Sequence, residues 1–102
     1  MKHESLYTQF DAVFFEKTRL SIITVLYNEE TVSYNKIKQI IGGSDGAVFA
    51  HLQKLQDAGY IAQKKVIVGK KMQTYYSLTA SGKKELTRYL QFVSGILEGN
   101  AR

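Results

Sequence analysis

Few residues in this 102-residue chain have types and spacing that could do covalent chemistry. There is no cysteine, which excludes disulfides, thiolate metal sites and cysteine nucleophiles together. The two histidines, His3 and His51, lie far apart in sequence, so a histidine metal cluster is not expected. Ser44, Asp45 and His51 fall on one predicted helix and cannot converge as a catalytic triad. We therefore predict no enzyme activity, no metal and no cofactor.

The segment 42–46 is a second candidate for chemistry, because glycine-rich loops can bind phosphate groups. Its sequence, GGSDG, matches neither the P-loop nor the dinucleotide-binding pattern, and no strand is predicted before it. The glycines instead indicate a break between two helices.

The basic residues carry a stronger signal. The net charge is +5, but residues 1–35 sum to −2 and residues 36–102 sum to +7. Such a polarised distribution is typical of proteins that bind nucleic acid. The alternative is a solvated lysine surface with no such partner.

Length and composition predict a single domain over residues 1–102, since 44% of the residues are hydrophobic. No apolar run approaches the ~18 residues of a membrane span, and the N-terminus has no signal-peptide core. We expect a soluble, cytoplasmic protein that does not act on membranes.

The hydrophobic pattern predicts an α+β fold in the order helix, helix, helix, hairpin, helix. The first helix covers residues 11–27, with an apolar stripe that includes Leu20, Ile23 and Tyr27. After a short extended piece, the second covers residues 34–41. Its inward side chains are expected to be Ile37, Ile40 and Ile41.

Three polar residues are placed to begin helices. Ser33 precedes the second helix, Ser44 precedes a third that runs to residue 58, and Thr79 precedes a last helix that runs to about residue 97. Between them, residues 61–78 alternate like strands around a glycine-containing tip. Two helices over residues 34–58 followed by a hairpin form the layout of a winged helix-turn-helix.

The third helix has the pattern of a recognition helix, the helix that enters the major groove. Val48, Leu52 and Leu55 share one face and should be buried. The opposite face contains small residues, which would let the backbone approach DNA, and two side chains that hydrogen-bond. Gln53 can pair with adenine, and Lys54 with guanine or phosphate. On the flanks, Phe49 should pack on a neighbouring helix, and His51 should make a hydrogen bond to backbone or phosphate.

The lysines around the hairpin, which include Lys65, should contact phosphates, although lysines also protect sheet edges. The predicted DNA-binding residues come from the second helix, the recognition helix and the wing. They are Lys36, Ser44, Gly46, Ala47, Ala50, Gln53, Lys54, Lys64, Lys70 and Lys71.

The last helix carries an apolar stripe that extends about three turns beyond the compact module. A small core cannot cover it, so we expect it to pair with a second copy of the chain, and Phe92 enlarges the same surface. The alternative is packing against the first helix of the same chain. The predicted dimerisation residues are Leu86, Tyr89, Leu90, Val93 and Leu97.

Several stretches carry a family resemblance. They are FFEKTRL at residues 14–20, HLQKL at 51–55, AGYI at 58–61 and YYSLTASG at 75–82. In these residues the chain resembles the small winged-helix transcriptional regulators of the MarR/ArsR-like superfamily, over about residues 11–97. The resemblance implies a homodimeric repressor or activator with one recognition helix and one wing per subunit. The chain differs in having Ala47 and Ala50 where relatives often carry arginine, asparagine or serine, and in lacking the metal-binding cysteines and histidines of metal sensors.

The sequence therefore predicts a homodimeric regulator of transcription that binds double-stranded DNA sequence-specifically. The alternative is a winged-helix module that binds proteins without binding DNA. RNA binding is less well supported, because the patterns of RNA-binding modules are absent. The operator, the sign of regulation and any small-molecule effector are not specified by the sequence.

Overall fold

Four helices and three antiparallel strands form the part of the chain that the computed structural model describes, residues 10–99. The helices are α1 (Lys17–Asn28), α2 (Tyr34–Ile41), α3 (Asp45–Asp57) and α4 (Ala80–Gly99). The strands are β1 (Val32–Ser33), β2 (Ile61–Val68) and β3 (Lys71–Leu78). The α+β class and the order of elements predicted from the sequence are confirmed.

The predicted N-caps account for the starts of three helices. The Ser33 hydroxyl accepts the Lys36 amide at 3.1 Å, and the Ser44 hydroxyl accepts the Ala47 amide at 3.1 Å. Thr79 accepts the Gly82 amide at 3.0 Å in the same way. Each bond satisfies an amide that lacks a partner within the helix, so these polar residues determine where the chain turns helical.

The first helix begins later than the predicted residue 11. Residues 11–15 form hydrogen-bonded turns, and α1 starts after Glu16, whose carboxylate accepts the Arg19 amide at 2.9 Å. The sequence pattern did not separate a turn from a helix here, because the turn also places Phe14 in the core. The predicted apolar stripe also differs at one residue, since Tyr27 is 53% exposed.

The sheet has the order β1-β3-β2, with both pairs antiparallel. In the hairpin Ile61 pairs with Leu78 and Val68 pairs with Lys71, which leaves a two-residue loop. Its first residue, Gly69, has φ +65°, a conformation that two-residue hairpin loops commonly require and that glycine adopts without strain.

The core lies between α1, α2, α3, the sheet and the first turns of α4. Its buried residues are Phe14, Ile22, Ile23, Leu26, Val32, Ile37, Val48, Leu52, Leu55, Ile61, Tyr76, Leu78 and Leu86. Two predicted assignments are wrong. Ile40 was expected inside but is 51% exposed, since α2 turns only one side toward the core. Leu86 was expected at a subunit interface but is 5% exposed in the core of its own chain.

The later part of α4 extends away from this core, and the molecule measures 59 × 23 × 21 Å. Near its middle, Tyr89 packs edge-on against Phe10 and Phe15, with ring centroids 5.8 and 4.7 Å apart. Phe92 also meets Phe10, at 5.3 Å. Tyr89 is thus partly used within the chain. No helix in the described part of the chain is long and apolar enough to cross a membrane.

Close packing where the hairpin meets α4 predicts that one added methyl group at Gly82 changes the stability of the fold. A Cβ at Gly82 would clash with the Tyr60 carbonyl oxygen and lie 2.7 Å from Leu78 Cδ1. We expect Gly82→Ala to lower the free energy of unfolding by about 1–3 kcal/mol, because the backbone must shift to relieve the overlap. Urea denaturation measures the change.

The matched control is Gly95→Ala on the same helix, where an added Cβ meets no atom within 4 Å. This substitution should stabilise the protein by about 0.5–1 kcal/mol through helix propensity. Equal effects at the two positions would contradict the close packing at Gly82.

Candidate nucleic-acid interface

Helix α3 has one buried face and one exposed face. Val48, Leu52 and Leu55 are each at most 1% exposed, as the periodicity predicts. The residues expected to face outward are all exposed, together with the cap residue. They are Ser44, Gly46, Ala47, Ala50, Gln53, Lys54 and Asp57. In the first two turns, the side chains opposite the buried face are small, at Gly46, Ala47 and Ala50, so the backbone there is accessible to a flat partner.

The beginning of α3 is fixed to α2 by polar contacts. Asp45 Oδ1 accepts the Tyr34 hydroxyl at 2.5 Å and the Lys38 ammonium at 2.8 Å. These two hydrogen bonds hold the pKa of Asp45 below its usual value of 3.8. Burial and the bond to Asp45 raise the pKa of Tyr34 to about 12. The carboxylate also lies in the first turn of α3, where the helix dipole favours negative charge.

The middle of α3 is fixed to α1 through a buried arginine. Arg19 is 8% exposed, its Nε donates to the Val13 carbonyl at 2.6 Å, and its Nη1 lies 3.0 Å from His51 Nδ1. Arginine can only donate, so Nδ1 is the acceptor and neutral His51 carries its proton on Nε2. His51 Nδ1 therefore bonds the Arg19 side chain, and the predicted hydrogen bond of His51 to backbone or phosphate stays a prediction. The sequence did not predict a role for Arg19. Its position in the apolar pattern of α1 was the one signal that it could be buried.

Some predicted contact residues already have partners within the chain. The Lys36 ammonium binds both carboxylate oxygens of Glu29, at 2.9 and 3.0 Å, and the Gln53 amide donates to Asp57 at 2.8 Å. The side chains of five exposed lysines in α3 and the wing have no hydrogen bond or ion pair within residues 10–99. They are Lys54, Lys64, Lys65, Lys70 and Lys71. Within α2, α3 and the wing, the exposed lysines without a partner therefore lie on the wing and in the second half of α3.

The hairpin register separates two neighbouring lysines. Residues paired across an antiparallel hairpin share a face, and successive residues alternate between faces. Lys65 pairs with Thr74 and lies on the face of the buried Ile61, toward α3, whereas Lys64 pairs with Tyr75 on the other face. The sequence predicts phosphate contacts for both lysines and includes only Lys64 of the two among the DNA-binding residues. Counting alternate positions from Ile61 would have placed Lys65 on the helix side.

An aromatic pair lies between α3 and the wing. Phe49 stacks on Tyr34 with ring centroids 4.4 Å apart and planes at 10°. The predicted packing of Phe49 against a neighbouring helix is therefore present, but the ring stays 49% exposed. The pair borders a pocket of about 140 Å³, lined by Ser33, Tyr34, Asn35, Phe49, Met72, Gln73 and Thr74.

The ion pair at the start of α3 gives a prediction about pH. Because the pKa of Asp45 is lowered in the folded state, the pair stabilises the fold above pH 3.8, and this contribution is lost as pH falls through the lower folded-state pKa. Lys38→Met should raise the pKa of Asp45, measured by NMR titration of its side-chain carboxyl carbon. Lys36→Met, which removes the partner of Glu29 instead, should leave that titration unchanged. An unchanged midpoint in Lys38→Met would contradict the assignment.

Solved structures of similar shape are transcriptional regulators by description. A transcriptional regulator homologue of Pyrococcus horikoshii OT3 has a TM-score of 0.76 at 22% identity, over 85% of this chain and 86% of the other. A protein of Porphyromonas gingivalis W83, described as a MarR-family regulator, has a TM-score of 0.66 at 28% identity, over 84% and 83%. PadR of Bacillus subtilis, solved in complex with operator DNA, has a TM-score of 0.60 at 28% identity, over 69% of this chain and 45% of PadR.

A family model agrees with these likenesses in shape. The model of the winged helix DNA-binding domain matches residues 18–97, which include α2, α3, the hairpin and nearly all of α4. The resemblance to winged-helix regulators noted in the sequence is thereby confirmed. The chain belongs to the winged helix DNA-binding domain family.

Proposed function

We propose that this protein is a transcriptional regulator that binds double-stranded DNA sequence-specifically as a homodimer. Helix α3 would enter the major groove, and the wing would contact the backbone or the minor groove. The observation that carries the proposal is the exposed, thinly covered outer face of α3 beside a wing whose lysines have no partner within residues 10–99. The similar protein PadR, solved in complex with operator DNA, supports DNA binding by a chain of this fold.

Phosphate contacts would supply most of the affinity. Each phosphate neutralised by a lysine releases condensed counterions, so unpaired lysines contribute more readily than lysines held by a carboxylate. Lys54, Lys65, Lys70 and Lys71 meet this condition, and Lys64 does so on the outer face of the wing. Lys36 would have to exchange Glu29 for a phosphate, which lowers its net contribution.

Base contacts would come from the outer face of α3. Gln53 can rotate from Asp57 to the adenine edge, because both groups are exposed and the present bond is a single one. The methyl groups of Ala47 and Ala50 can contact thymine. Gly46 and Ser44 leave the start of the helix open to a phosphate, as helix N-termini favour anions.

The homodimer would form through the distal part of α4. Leu90 is 51% exposed, Ile96 44% and Leu97 71%, and Leu90, Val93 and Leu97 lie on one side of the helix. A two-fold pairing of this stripe would bury apolar area that the subunit core does not reach. It would also present two α3 helices to half-sites about one DNA turn, ~34 Å, apart.

The register of the wing predicts unequal roles for its two adjacent lysines. Lys65→Ala should weaken binding and reduce the slope of log affinity against log salt by about 1.8, because the dimer loses two phosphate contacts, one per subunit, at about 0.9 each. Lys64→Ala should change the slope less, since its side chain lies on the opposite face of the hairpin. Fluorescence anisotropy across a salt series, on a duplex selected from genomic fragments, measures both.

The two variants carry the same charge and differ only in face, so each controls for the other. A larger effect of Lys64→Ala would contradict the proposed orientation of the wing. Absence of binding to any duplex at low salt would contradict the proposed function as a whole and favour a protein-binding module.

Assembly can be tested on α4. Leu90→Lys should weaken self-association by roughly tenfold or more, because a charge buried without a partner at an apolar contact is costly. Gln91→Lys adds the same charge on an exposed neighbouring position and should leave association unchanged. Sedimentation velocity over a concentration series gives the result. A wild-type monomer at high micromolar concentration would contradict the homodimer.

A further inference from the structure

The stacked pair of Phe49 and Tyr34 is not explained by phosphate contacts or by the hydrogen-bonding residues of α3. Phe49 is the large apolar side chain of α3 that remains 49% exposed, although the same helix buries Val48, Leu52 and Leu55. Tyr34 covers one face of its ring, so the exposed part includes the other face and the edge. The ring can neither pair with a phosphate nor accept a conventional hydrogen bond, so among the groups that DNA presents it fits an apolar one best.

The position of the ring is fixed before any partner arrives. Tyr34 is held through its hydroxyl by Asp45, and Asp45 is held in turn by Lys38. Phe49 stacks on the ring so anchored, at 4.4 Å and nearly parallel. Little side-chain freedom is left to lose on binding, which makes the pair a rigid contact surface.

The surroundings of the pair resemble a small apolar contact with a polar rim. The adjoining pocket of about 140 Å³ is bordered by Met72 of the wing, which is 61% exposed, and by polar side chains of α2 and β3. Lys65 pairs with Thr74, which also lines the pocket, so a phosphate-binding charge lies along the same edge. The pocket is thus continuous with the proposed DNA-binding surface.

The major groove offers one apolar group at the base edges, the C5 methyl of thymine. We propose that Phe49 is a specificity-determining residue that packs against a thymine methyl, an inference that rests on the proposed function. Gln53 lies one helical turn after Phe49 and faces the same flank of α3. An adenine contact by Gln53 and a thymine contact by Phe49 therefore select the same or adjacent A·T pairs.

The test begins with a bound duplex selected from genomic fragments by the full-length wild-type protein. Each thymine of the site is then replaced by uracil, which removes the C5 methyl and leaves every hydrogen-bonding group in place. At one position per half-site, the replacement should weaken binding about fourfold, the effect of exposing one methyl-sized group. Anisotropy titrations at fixed salt give the ratio.

The matched variants are Phe49→Ala and Ile67→Ala, both truncations of exposed apolar side chains. In Phe49→Ala the difference between thymine and uracil at that position should disappear. In Ile67→Ala, which does not line the pocket, it should remain about fourfold. Circular dichroism of each variant checks that the helices are intact. The comparison of thymine and uracil duplexes with the wild-type protein remains valid even if a variant does not fold.

The possible results distinguish failure of the thymine contact from failure of DNA binding itself. Equal binding of thymine and uracil duplexes by the wild-type protein at every position would overturn the role of Phe49. A uracil penalty that persists undiminished in Phe49→Ala would assign the methyl contact elsewhere and overturn it as well. Failure to bind any duplex at low salt would overturn the proposed function, and with it this inference.

Discussion

Burial of Val48, Leu52 and Leu55 is the constraint on which the functional surface depends. A helix is a rigid rod with 3.6 residues per turn, so three buried side chains determine the direction of every other residue on α3. The exposed face follows from that rotation alone, without any polar residue having to specify it. A substitution that weakened this packing would therefore redirect the whole proposed interface.

Two polar contacts remove the motions that apolar packing leaves open. Hydrophobic burial is non-directional and permits a helix to slide or turn slightly, whereas hydrogen bonds have strict geometry. The Arg19–His51 contact fixes the middle of α3 against α1, and Asp45 fixes its beginning against α2. Among residues 10–99, Arg19 is also the one charged side chain that is buried, and its bonds to Val13 and His51 offset the cost of that burial.

Interactions between residues close in sequence were sufficient to predict the helices and strands. The wrong predictions concern contacts between residues far apart in sequence. The caps at Ser33, Ser44 and Thr79 and the glycine of the hairpin loop act within three residues of themselves, so sequence is sufficient to locate them. The exposure of Ile40 and the burial of Leu86 depend on which elements pack nearby, and periodicity cannot supply that. The contacts at Arg19 and Phe49 join residues 32 and 15 positions apart, and only the folded chain brings these together.

Charge alone is an incomplete guide to where DNA would be attracted. The basic residues of α2 are matched by carboxylates, since Lys36 binds Glu29 and Lys38 binds Asp45. The charges of each pair lie only 2.9 and 2.8 Å apart, so their fields largely cancel at greater distances, whereas the wing lysines have no such counter-charge within residues 10–99. Within the candidate interface, a polyanion would therefore be attracted first to the wing and the second half of α3. The groups proposed to distinguish one base pair from another, Gln53 and Phe49, are uncharged, so attraction and discrimination would fall to different side chains of one surface.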